Sequence, residues 1–137
     1  SINPDSPFII TAYKKMAFYY ADTEQRLNEL NIFEDMLSRS PNDPGILNLY
    51  AWRMAEIETN LEDALIKVRL AVSLSLKEPK NMANIIDTEA DVLWKLKRYN
   101  EAIEAIERAI AIDPENIYFQ DQKEKFIESA RVVSQAA

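Results

Sequence analysis

The chain has 137 residues, 47% hydrophobic and 28% charged, with one glycine, no cysteine, no histidine and a formal net charge of −7. Without Cys or His there is no thiolate nucleophile, no imidazole base, no Ser-His-Asp triad and no zinc site of nitrogen and sulfur ligands. With Gly45 as the only glycine, neither a P-loop nor a dinucleotide-binding fingerprint can be written, so the expectation is a non-enzyme without catalytic residues, metal or cofactor.

The elements are punctuated by proline, which ends helices by removing a donor and clashing with the preceding turn. Ser6-Pro7 is the cap-then-proline order of a helix start, and a first helix is expected over Phe8 to Tyr20. Asp22 is expected to cap a second helix, striped by Leu27, Leu30, Phe33, Met36 and Leu37. Asp43-Pro44 repeats the start signal before a third helix over Ile46 to Ile57. Asn60 is expected to cap a fourth, striped by Leu61, Ala64, Leu65, Val68, Ala71 and Val72. The run Leu70 to Leu76 is the most β-like, and it reads as a continuation of that helix. A fifth helix spans Met82 to Leu96. The sixth carries the clearest stripe, Ala102, Ile103, Ala105, Ile106, Ala109 and Ile110, with Glu101, Glu104, Glu107 and Arg108 opposite. A seventh runs from about Ile117 to Val133. Pro7 to Pro41 is 34 residues, and Pro44 to Pro79 and Pro79 to Pro114 are 35 each, which is a repeat signal.

The stretch ANIIDTEADVLWKLKRYNEAIEAIERAIAIDPEN resembles the tetratricopeptide repeat family, whose unit is a 34-residue antiparallel helix pair. Ala90 matches its small first-helix residue and Tyr99 its aromatic at the turn. Ala102 opens the second helix, Ile106 and Ala109 are the packing pair, and Pro114 closes the unit. The second unit matches through Leu47, Ala51, Ala64, Val68 and Ala71, and the degenerate first through Tyr13, Met16, Ala17, Tyr20, Phe33, Met36 and Pro41. Glu29 stands in the first unit where the family has alanine. The resemblance implies an all-α, right-handed superhelical solenoid forming a single domain over 1–137. Its units are about 8–43, 44–80 and 82–116, with a C-terminal capping helix at about 117–133. In that helix Phe119, Phe126, Ile127 and Ala130 are expected to pack, with Gln120, Asp121, Lys123, Glu124 and Lys125 facing water.

The resemblance also implies a scaffold whose first helices line a concave groove for a peptide or partner helix. Carried over by position, the groove residues are Lys14, Lys15 and Phe18, then Asn48, Leu49, Trp52 and Glu56, then Asp87, Thr88, Asp91 and Trp94. The two tryptophans lie off the stripe that packs within each pair, as binding hot spots or as core between units. The clamp by which some members hold a chaperone's C-terminal carboxylate is absent. Phe18, Leu49, Asn84 and Thr88 replace its asparagines, lysine and arginine, and only Lys14 remains. Asp87 and Asp91 lie four apart on one face and read as solvated carboxylates, since calcium needs about six oxygens from a shaped loop. The run ENIYFQD, which resembles a protease recognition site, continues the repeat's own turn.

The expected partner is a protein or peptide. The acidic balance disfavours nucleic acid, and no apolar run approaches the ~20 residues of a membrane span. The chain is expected to be a monomer or weak homo-oligomer. Alternative readings are a helical accessory segment of a larger bacterial envelope protein with a thioredoxin-like domain, or a self-assembly module. The opening Ser1 suits an excised or processed piece, and the compartment, cytoplasmic or periplasmic, stays open.

Overall fold

The computed structural model describes residues 7–136, and within them it is built of seven helices. In chain order these are α1 (Pro7–Asp22), α2 (Arg26–Arg39), α3 (Pro44–Ile57), α4 (Leu61–Ser73), α5 (Pro79–Lys95), α6 (Tyr99–Ile112) and α7 (Ile117–Ala136). No strand occurs among the described residues. Consecutive helices form the antiparallel pairs α1/α2, α3/α4 and α5/α6, and α3, α5 and α7 each pack on elements of the preceding pair. The result is a helical solenoid in which each pair completes the core of its neighbour.

Small residues set the close approaches. Ala51, Ala64, Ala90, Ala102 and Ala109 are fully buried, and Met54, Leu65, Val68, Leu93 and Ile106 fill the space beside them. At α3 the cap works as its sequence predicts: Asp43 accepts from the Ile46 amide at 3.1 Å with Pro44 following. Ser6, the matching cap of α1, lies outside the described residues.

Two expected caps are not formed. Asp22 is the last residue of α1, and Gln25 takes the position before α2 without a side-chain hydrogen bond. Asn60 does precede α4, but its backbone is left-handed (φ 52°, ψ 36°) and its side chain caps nothing. A capping side chain needs extended backbone to reach the first-turn amides, and the tight turn denies it. Left-handed residues make these turns in place of glycine, namely Glu24, Glu58, Asn60 and Lys97.

Boundaries shift at three other places. The helix before Leu74 stops at Ser73, and residues 74–77 form turns rather than continuing it. Pro79 supplies the first residue of α5, so that helix begins three residues before the expected Met82. The last helix runs to Ala136, burying Phe119, Gln122 and Phe126 while leaving Ile127 46% exposed.

Candidate functional site

The expected groove residues separate into an open half on α1 and α3 and a covered half on α5. In the open half, Lys14, Phe18, Gly45, Asn48, Leu49 and Trp52 line a hollow of about 300 Å³. Phe18 is 45% exposed and Trp52 37%, so two large apolar surfaces face water there. Asn48 Oδ1 is buried without a hydrogen-bond partner, a state that costs about 1–3 kcal/mol unless a donor arrives. The Arg53 guanidinium sits 6.0 Å from the Trp52 ring centre, on the side toward α2. Lys15 is exposed next to Lys14 but does not line the hollow, and Glu56 is exposed one turn beyond Trp52.

In the covered half, α7 supplies partners to the side chains of α5. The Trp94 indole N–H donates to Ser129 Oγ at 2.9 Å, its ring lies 6.0 Å from that of Phe126, and the Lys125 ammonium stands 4.0 Å over it. Gln122 Nε2 donates to Asp87 at 3.3 Å, and Asp91 lies 3.9 Å from Lys125. Thr88 is buried and directs its hydroxyl to the Asn84 carbonyl. Trp94 is therefore a joint between α5 and α7, whereas Trp52 keeps an open face.

Burial pushes the Asp87 carboxyl up to about 6, against the opposing Gln122 hydrogen bond and with the Asp91 charge adding to the rise. Burial raises Asp91 as well, opposed by Lys125 and Lys95. The Tyr118 hydroxyl is raised by burial and then by the carboxylates of Asp87, Asp91 and Glu56. A carboxyl raised on folding binds its proton more tightly in the folded state. Its stabilising contribution is therefore complete below the unfolded value near 4 and is lost as pH rises through about 6. Asp87→Asn is expected to raise stability by about 1–2 kcal/mol at pH 7.5 and to leave it unchanged near pH 3.5. Urea unfolding at both pH values checks this, and an equal change at both would show that the charge is not the cause.

The sequence reading did not find the two buried carboxylates. Glu29, fully buried on α2, accepts from Arg53 Nη2 at 3.1 Å and from Arg26 Nη1 at 2.6 Å. Glu89, 3% exposed on α5, accepts from Arg108 at 2.7 Å and lies 3.5 Å from Arg69. The acidic residue at an alanine position of α2 was visible in the sequence, but its partner 24 residues away was not. Among the described residues, no cluster of carboxylates is arranged to hold a metal ion, and no helix is long and apolar enough to cross a membrane.

The family model described as the tetratricopeptide repeat matches residues 83–116, which take in most of α5, all of α6 and the turn into α7. No curated protein matches the chain. The matched pair carries the buried alanines and the Pro114 turn, and the pairs before it repeat the same helix order, so residues 83–116 are similar to a tetratricopeptide repeat unit within an all-helical array.

Proposed function

We propose that the chain is a noncatalytic interaction module over its whole length, with units at about 8–43, 44–80 and 82–116. A peptide or partner helix would be held in the concave groove where α1 meets α3. The observation that carries this reading is the hollow between Phe18 and Trp52, two exposed aromatics beside an unpaired buried acceptor on Asn48. Aromatic side chains in a partly desolvated hollow are the usual carriers of binding energy. An incoming N–H would satisfy Asn48 Oδ1, and Lys14 favours an acidic group at that end.

Peptides selected from a randomised display library against the immobilised chain test the reading. Selected peptides are expected to change the tryptophan fluorescence and to bind Trp52→Ala at least about tenfold more weakly, as truncation of a hot-spot residue does. Undiminished affinity for the Phe18→Ala, Trp52→Ala double variant would remove the groove from consideration.

A further inference from the structure

The opposite face of the same joint carries a second groove. The contact between α2 and α3 is much smaller than those between α4 and α5 or α6 and α7, and α2 and α4 scarcely touch. The buried Glu29 stands on α2 where α4 and α6 carry Ala64 and Ala102, and it pairs with Arg53 of α3 across this smaller contact. Two hollows of about 460 Å³ each open between α2 and α4, and they join through Leu37 and Lys67, which line both. The walls are Leu27 and Leu30 at one end, Leu37 in the middle, and Ile66 and Leu70 at the other. Leu27 is 71% exposed and Ile66 69%, so the apolar wall is open to water.

One carboxylate on this wall is left uncompensated. The Asp63 carboxylate is already occupied, accepting from Lys67 Nζ at 2.8 Å and from the Tyr50 hydroxyl at 2.7 Å. The Glu34 carboxylate, on the rim between Leu30 and Leu37, has no ion-pair or hydrogen-bond partner among the described residues. Leu27 to Leu37 rises about 15 Å along α2, which is close to three helical turns.

We infer that the groove between α2 and α4 is a second docking surface, taking a three-turn amphipathic helix of a protein partner that carries a basic residue beside its apolar stripe to meet Glu34. The mode is helix-in-groove, with partner anchors at i, i+3 or i+4, and i+7 filling the leucine-lined hollows. The site lies on the second helices of the pairs, away from Phe18 and Trp52, and it stands whether or not the concave groove binds.

The test uses the full chain and two synthetic helical peptides of about 14 residues, each with leucines at i, i+3 and i+7. One flanks that stripe with lysines and the other with glutamates. The lysine peptide is expected to shift amide resonances of α2 and α4 saturably and to bind about threefold more tightly than the glutamate peptide, the scale of one exposed ion pair. Glu34→Lys should reverse that preference. Leu27→Ser with Ile66→Ser, both at exposed positions, should weaken the lysine peptide more than tenfold with an unchanged helical circular-dichroism spectrum. Trp52→Ala should leave it unaffected. Equal binding of the two peptides would overturn the inference, as would loss of binding in Trp52→Ala. So would a doubling of the chain's mass in solution that Ile66→Ser abolishes, since a second copy would then be the occupant.

Discussion

Arg53→Met is expected to lower the unfolding free energy by about 3–5 kcal/mol, the range for breaking a buried ion pair from one side. Glu29 has no solvent exposure and Arg53 only 12%, so the carboxylate left behind cannot recover its hydration. Arg26 remains 2.6 Å away, but it is itself 44% exposed and compensates only partly. Glu29→Ala is expected to cost less, because Arg53 keeps Glu56 at 2.8 Å near the surface. Glu29→Leu combined with Arg53→Met should recover most of the stability, since a well-filled apolar pair often equals a buried ionic one. Chemical unfolding of Arg53→Met, Glu29→Leu and their combination closes the cycle. A loss under about 1 kcal/mol for Arg53→Met would show that Glu29 does not depend on its partner.

Phe126→Ala is expected to cost about 3–5 kcal/mol, the range for truncating a fully buried phenylalanine. Phe126 lies against the Trp94 ring, and α7 covers the face of α6 that would otherwise meet water. Loosening α7 exposes Trp94 and frees its indole N–H from Ser129. In a Trp52→Phe background, where Trp94 is the remaining tryptophan, its emission should move to longer wavelength and α7 should become sensitive to protease before global unfolding. An unshifted emission with undiminished stability would mean that α7 is not needed to close the array.

Both effects lie at residues whose sequence context explains only half of what they do. Glu29 is conspicuous at an alanine position, yet nothing local says whether such a residue swings out to solvent or stays and recruits an arginine. Trp94 is equally ambiguous: it lies off the stripe that packs α5 on α6, and only the seating of α7 turns it from a groove residue into a joint. Trp52, on the first helix of the preceding pair, is also off its packing stripe and keeps an open face. The caps show the same limit. Asp43 succeeds because Pro44 presets the helix start, whereas Asn60 fails because its turn needs a left-handed residue more than a cap.

The amino-acid sequence by itself determined the helices, their pairing and the alanine crossings. These rest on the 3.6-residue period, proline positions and a spacing near 34 residues, all properties of neighbours along the chain. It also excluded thiol, imidazole and glycine-loop chemistry, because those residues are missing. The tertiary structure alone decided the pairing of Glu29 with Arg53, the partial burial of Trp94 against α7, and the gap between α2 and α4. Each depends on how closely one helix pair approaches the next. That distance is set by side-chain volume and charge across residues far apart in the chain, where local periodicity carries no information.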